Sequence, residues 1–337
     1  MKALVTGGLG FVGRHLVELL TKVGVDVRVI DLPGRSAKGL PAGVEFVAAD
    51  IRDRQAMRRA AKGCGHVYHL AANPQLWTLR RGHFAQVNEY GTRNVLDSAI
   101  EAGAERIVHC STESILTRSR QLTPITAGQR VIAEDVIGPY CRSKWRAERY
   151  AMRLAASGAP VLVVNPTLPV GPADWGRSPP TQMILDCALG RRAAYLDADL
   201  NLVSVRDVAR GLFAAAERGR PGQRYLLGAE NWTIRHLFDW IARRCGVPGP
   251  TWKVPYPAAL GVALVSEWVA DVFTKRIPAA TITGVRLTRR TMRFDARPCW
   301  KELGICPEPV TLALSHALDW YRRVGWLSDA PAESDAG

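Results

Sequence analysis

The apolar positions of this chain alternate between two rhythms. Residues 2–6, centred on Ala3-Leu4-Val5, form a short apolar run that reads as a buried strand. From 11 to 22 the apolar positions Phe11, Val12, Leu16, Leu19 and Leu20 fall at helical spacing. Strand-like runs return at 26–31, 44–48, 66–70, 106–110 and 160–164, and helical stretches at 52–61, 83–102 and from Gly138 to about 156 lie between them. Strands alternating with helices through short links imply a parallel sheet. A polar, irregular stretch at 115–138 interrupts the alternation and is expected at the entrance of a site. Beyond 172 the rhythm loosens: a turn-rich loop at 173–180, a helix at 181–189, a strand and then a helix capped by Asp207 starting within 201–208, a strand at 223–227 and a helix at 234–244. An apolar helix at 258–273 reads as a core or pocket helix, with contact at a membrane interface as the alternative. An amphipathic helix at 309–323 and a tail from Ser328 without apolar content complete the chain. The pattern predicts an α/β fold: a doubly wound parallel sheet over 1–172 with return elements at 201–228, a smaller, mostly helical region from 173–200 and 229–327, and a disordered tail at 328–337.

Chemistry enters at the first strand-to-helix turn, where Gly7, Gly10 and Gly13 stand. The first glycine lets the chain turn sharply, the second lets backbone approach a pyrophosphate, and the third lets the helix pack close to the sheet. The helix start at Phe11 and Val12 offers free N–H groups and the positive end of a dipole. Asp31 closes the second strand eighteen residues past Gly13, near the spacing of roughly 20 at which an acid meets an adenosine ribose. Asp50, beside Ile51 after the third strand, can bond an adenine amino group or cap the helix that follows. Small residues after the fourth strand, in Leu70-Ala71-Ala72-Asn73, let a cofactor lie close to backbone, whereas His69 is expected to pack within that strand.

Tyr140 and Lys144, four residues apart on one helix, share a face. An adjacent ammonium favours phenolate, so Tyr140 can exchange a proton with an alcohol or ketone oxygen. Thr112, after the fifth strand, can hold that oxygen with Ser111 in support. Glu113 next to it is expected to face solvent or to contribute to substrate choice. Trp77, Trp175 and Met183 would make the pocket fairly apolar.

Net charge is +14, carried by thirty-seven arginines and eight lysines. The arginines are scattered, and no aromatic-basic module is visible, so no nucleic-acid partner is expected. Weak attraction to anionic lipid, or to a diphosphate substrate, fits the charge better. Seven scattered cysteines without metal-ligand spacing suggest free thiols and no metal site. No apolar run of eighteen residues escapes charge, and the first strand begins at residue 2, so neither a membrane span nor a signal peptide is expected and a cytoplasmic location is.

Thr6-Gly-Gly with Gly7-x-x-Gly10-x-x-Gly13, Asn88-x-x-Gly91-Thr92, Ser111-Thr112 and Tyr140-x-x-x-Lys144 together resemble the extended short-chain dehydrogenase/reductase superfamily. Asn165-Pro-Thr-Leu-Pro-Val-Gly-Pro172 is similar to dihydroflavonol 4-reductase and its bacterial relatives. With Gly138-Pro-Tyr-Cys-Arg-Ser-Lys144 and Gly219–Gly228, it also resembles the hopanoid-associated sugar epimerase family, over about residues 2–327. The resemblance implies a Rossmann fold, Thr112, Tyr140 and Lys144 as the catalytic set, and Asn88, Pro166 and Thr167 beside the cofactor. It also implies a homodimer through the helices at 83–102 and 140–156. Leu168 replaces the asparagine that epimerases present to a sugar diphosphate. Asp31 favours NAD over NADP by repelling a 2′-phosphate, unless Arg28 or Arg35 offsets it. Three readings follow: hydride transfer on a secondary alcohol or ketone, with Asn73, Trp77, Glu113, Leu168 and Trp175 touching the small-molecule substrate; a sugar epimerase that retains its NAD and uses Arg177, Arg191, Arg206 and Arg286 on a diphosphate; and a non-catalytic dinucleotide sensor.

Overall fold

Strand β1 (Lys2–Thr6) leads through the glycine turn into α1 (Phe11–Lys22), then β2 (Asp26–Asp31), β3 (Glu45–Ala48), α2 (Arg54–Ala61) and β4 (His66–His69). The structure, a computed structural model, describes residues 1–119, 121 and 123–327, so the tail expected at 328–337 lies outside the described residues. Next comes one helical body: α3 (Gly82–Phe84), a π-helical segment at Ala85–Gly91, and α4 (Thr92–Glu101). Then follow β5 (Arg106–Cys110), α5 (Gly138–Ala156), β6 (Val161–Pro166), β7 (Leu168–Val170), α6 (Pro179–Ala188), β8 (Ala194–Tyr195), β9 (Asp199–Ser204), α7 (Val205–Arg218) and β10 (Arg224–Leu227). The last elements are β11 (Glu230–Thr233), α8 (Ile234–Cys245), β12 (Trp252–Lys253), α9 (Tyr256–Val269), α10 (Ile282–Leu287), α11 (Arg297–Leu303) and α12 (Val310–Arg323).

Seven strands pair in parallel in the order β10-β6-β5-β4-β1-β2-β3. Alternate strand residues point to opposite faces, and both faces are apolar. Val5, Val29, Val108 and Val164 pack with Leu16 and Leu20 of α1 and Val208 and Leu212 of α7. Leu4, Ile30, Val67, Ile107 and Val163 pack with Met57 of α2, Leu96 of α4 and Ala151 of α5. The sheet is therefore doubly wound, and its strand order reverses between β1 and β4, where such sheets bind ligands beyond their carboxyl ends.

A second core gathers Val170, Ile184, Leu202, Phe238, Leu314 and Tyr321 from elements after β6. This region contains more strand than its sequence pattern suggests: β11-β9-β7 form a three-stranded sheet and β12-β8 a pair. Three local expectations change. Ser204, whose hydroxyl accepts from the Arg206 amide, caps α7, while Asp207 sits buried in the first turn and accepts from the Glu308 amide. Asp53 caps α2 by accepting from the Gln55 and Ala56 amides, so Asp50 is not the cap. The apolar helix α9 is not a core helix. Only Ala259 and Ala263 of it are buried, and with its continuation to Thr274 it forms a nineteen-residue run long and apolar enough, by length and composition alone, to cross a membrane.

Candidate active site

The glycine turn has no room for side chains. A Cβ at Gly7, where φ is +72°, would stand 2.8 Å from the Ala71 nitrogen, and one at Gly13 would stand 2.2 Å from the Gly7 carbonyl oxygen. Leu70-Ala71-Ala72 is thus pressed against the turn, with the Ala71 amide donating to Thr6 Oγ1 at 3.3 Å. Gly10 is the N-cap of α1 and contributes no side-chain cap. The first-turn amides of Phe11 and Val12 cannot reach an intrahelical carbonyl. Asp31, buried at the end of β2, accepts from the Leu9 amide at 3.0 Å and the Leu32 amide at 2.9 Å. These bonds aim a carboxylate at the edge of the turn and leave it lone pairs to spare. The donor set fits a dinucleotide: bare helix amides for a diphosphate and an acceptor-only acid for a ribose. Arg35 approaches Asp31 at 3.7 Å, while Arg28 is turned away onto Glu45 and the Ala60 and Lys62 carbonyls. Asp50 is held by Arg52 in a two-pronged bond of 2.6–3.0 Å, which lowers its pKa.

At the end of β5 the expected catalytic residues come together. Thr112 extends from the strand, and its hydroxyl donates to Glu113 Oε2 at 2.9 Å. The Ser114 hydroxyl lies 3.0 Å from it. Tyr140 is on the first turn of α5, its ring edge-on to Phe84 at 6.2 Å. Burial raises its pKa, and a hydrogen bond with the Thr112 side chain pulls the other way. Lys144, one turn on, is buried and donates to the Cys110 carbonyl at 2.8 Å. The expected depression of Tyr140 by Lys144 is therefore not what governs the phenol here. The ammonium gives one of its hydrogens to a strand-end carbonyl, its own pKa is lowered by burial, and desolvation dominates both groups. Ser111 is buried, with a hydroxyl that has no partner among the described residues.

Several assigned residues hold the site rather than face it. Asn88, within the π-helical segment, accepts from the Asn73 amide and donates to the Asn73 carbonyl and Ser143 Oγ, so its amide hydrogens are used. It ties the loop after β4 to α5. Thr167 gives both its amide and its hydroxyl to the Leu227 carbonyl, and Pro166 ends β6. Ile51 is buried against Gly91. His69 packs within its strand, bonded to Thr6 and Thr92, and burial lowers its pKa to about 3. Glu113 is not in solvent: it is buried, and desolvation pushes its carboxyl up to about 7.

Two expected pocket aromatics serve other ends. Trp77 is buried and donates its indole N–H to Asp271 at 3.2 Å, tying the loop after β4 to the continuation of α9. Trp175 is exposed, stacked edge-on against Trp320 and Trp326. Leu168 lies on β7 at the margin of the second core.

The support that sequence reasoning missed is a buried relay. Asn165 donates to the Thr112 carbonyl and to Glu148 Oε2, both at 2.9 Å, and Glu148 grips Arg224 at 2.6 Å. Three sequence-distant elements, β6, α5 and β10, thereby fix the backbone of Thr112. Glu148 lies eight residues past Tyr140 and one turn past Lys144, on the same inner face of α5.

The sequence model of the NAD dependent epimerase/dehydratase family matches residues 3–228. The chain belongs to that family. It is 32% identical over 330 residues to a putative dihydroflavonol 4-reductase of Synechocystis sp., covering 96% of this chain and 95% of the relative. It is 31% identical over 332 residues to sterol demethylase protein B of Methylococcus capsulatus, covering 97% and 100%. The crystal structure of gox2253 superposes with a TM-score of 0.84 at 36% identity, covering 97% of this chain and 99% of that one. The family's enzymes and the doubly wound sheet agree with the motifs of the first 172 residues.

Proposed function

We propose that this enzyme interconverts a secondary alcohol and a ketone on a fairly apolar, ring-containing small molecule, with NAD as hydride carrier. The observation that carries the reading is the grouping of buried Thr112 and Lys144 with half-buried Tyr140 at the carboxyl end of β5, beside a turn built for a dinucleotide. The glycine turn and the start of α1 would hold the diphosphate, Asp31 the adenosine ribose, and Lys144, with its remaining ammonium hydrogens, the nicotinamide ribose. A nicotinamide held there would supply the hydride acceptor for the carbinol carbon and, reduced, the hydride donor for the ketone. Tyr140 removes the hydroxyl proton or restores it, and Thr112 bonds the same oxygen as charge builds there. Asp31 favours NAD by repelling a phosphate on the ribose. Relatives named for a dihydroflavonol and a sterol support an apolar ring substrate.

The epimerase reading needs arginines for a sugar diphosphate. Arg177 instead lies 4.1 Å over the Trp326 ring, and Arg206 is bonded to His316. These contacts engage two of the four arginines, and the epimerase reading keeps exposed Arg191 and Arg286. We also infer a homodimer through the helices of residues 82–101 and 138–156, where Tyr90 is exposed beside Arg93.

The deciding experiment follows NADH oxidation against cyclic ketones of graded polarity, for the native enzyme and Tyr140→Phe. The reading expects turnover that falls on the order of 10²–10⁴-fold in the variant while NADH binding is kept. Stoichiometric NAD released only on denaturation, with no ketone reduced, supports the epimerase and overturns this assignment.

A further inference from the structure

The helical run from Tyr256 to Thr274 has two unlike faces. Ala259, Ala263 and Ala270 are buried at helical spacing against the body of the protein. Glu267 and Asp271 lie on the same side. Glu267 accepts from the Ile282 amide at 2.8 Å and pairs with Arg81, and Asp271 pairs with Arg81 and accepts from the Trp77 indole. The opposite face carries Val262, Val265, Trp268, Val272 and Phe273, all roughly half or more exposed, and Ile277 continues it. Trp268 and Phe273 stack edge-on, their ring centroids 5.4 Å apart. Such a contiguous apolar surface marks an interaction site.

Charge names the partner. Lys275 and Arg276 stand exposed between Phe273 and Ile277, Lys275 also donating to the Asp271 carbonyl; Arg286 is exposed on α10, which packs on this helix, and Arg289, just past α10, is exposed over the Tyr256 ring. Arg80 is exposed next to the Arg81 anchor. Among the described residues none of these five pairs with a carboxylate, and both acids of the helix are already engaged, Glu267 largely buried and Asp271 part-exposed on Arg81 and Trp77. An apolar face holding an aromatic pair and rimmed by unpaired cations is complementary to lipid chains beneath anionic headgroups. We propose that this face docks the protein in the plane of an anionic bilayer, the apolar side chains entering the headgroup boundary and the cations meeting lipid phosphates. These ion pairs set the orientation: a helix crossing the bilayer would have to break Glu267 and Asp271 away from Arg81, Trp77 and Ile282, whereas one lying in the plane keeps every one of these bonds.

The test is flotation of the full-length protein with unilamellar vesicles of phosphatidylcholine alone and of phosphatidylcholine with phosphatidylglycerol. The native protein is expected to float with the anionic vesicles, less so as salt rises. Val265→Glu with Phe273→Glu should lower partitioning at least tenfold, and Lys275→Glu with Arg276→Glu should remove the preference for anionic lipid. NADH binding and circular dichroism, unchanged in both variants, show that they are folded. Brominated acyl chains should quench the native fluorescence and lose that part of the quenching in Trp268→Leu. Native protein that floats no better than the apolar-face variant overturns the proposal. So does a concentration-dependent dimer that this variant converts to monomer without any vesicle binding, since a second copy would then be the occupant.

Discussion

The hydroxyl of Thr112, placed to hold a substrate oxygen, donates its hydrogen to the carboxylate of its neighbour Glu113 at 2.9 Å. The bond joins a proposed catalytic donor to an acid whose charge depends on pH near neutrality. An ionised Glu113 holds the threonine proton and, beside Tyr140, opposes formation of phenolate. A protonated one gives up that hold. Glu113→Gln should therefore remove an inflection near pH 7 from the kcat/KM profile, leaving the remaining limbs in place.

The same carboxyl sets a stability profile. Burial raises its folded pKa from 4.5 to about 7, so between these values the folded state binds the extra proton. The native protein should lose stability as pH rises from 4.5 through 7, by an amount on the order of 3 kcal/mol in the limit of full burial. Denaturant melts of native and Glu113→Gln protein should diverge between pH 5 and pH 8 in favour of the variant. Parallel curves across this range would show that the carboxyl does not carry the difference.

Asp31 has two duties that can be separated. Asp31→Asn keeps an acceptor for the Leu9 amide but removes the charge. It should weaken NADH binding and narrow the preference over NADPH, with a smaller loss of stability than Asp31→Ala, since its one oxygen serves the Leu9 amide and leaves only the Leu32 amide without an acceptor. Asp31→Ala should show the same cofactor effect and in addition lose about 1–3 kcal/mol, because the buried Leu9 amide loses its partner. Fluorescence titration with both nucleotides, alongside melting curves, resolves the two.

The relay behind Thr112 gives another test. Arg224→Met leaves Glu148 buried without its cation, and breaking such a pair costs about 3–5 kcal/mol. Because Asn165 ties Glu148 to the Thr112 carbonyl, kcat should fall more than NADH affinity. A drop in stability with unchanged kcat would make the relay purely structural.

Gly138 opens α5 at φ +72°, and a Cβ there would stand 2.4 Å from Thr283 Oγ1. Gly138→Ala should destabilise by roughly 1–3 kcal/mol through backbone strain and this contact. Thr283→Ala in the same chain should restore the contact part only, as equilibrium unfolding of the single and double variants would show.

The parallel sheet was readable because its strands and helices differ in period and because three glycines and an acid fall at fixed offsets from one strand. Tyr140, Lys144 and Thr112 could be placed because each lies next to such a strand or helix. The roles of Trp77, Trp175 and Glu113 were not readable. An aromatic or an acid in a loop carries no period, and its partners, Asp271 for Trp77 and Trp320 for Trp175, are far away in sequence. Helix α9 misleads for another reason. Its composition is that of a buried helix, and only the packing of Ala259 and Ala263 shows which narrow face is covered.

The contact between Gly138 and Thr283 has a further consequence. There is no room for a Cβ between the backbone of α5 at Gly138 and the Thr283 side chain of α10, and packed interiors transmit displacement rather than absorb it. Helix α10, which packs on the helix carrying the apolar face, and the turn that carries Tyr140 are therefore in direct contact. Drift in the sequence of one is constrained by the other, although 145 positions separate the two residues in the chain.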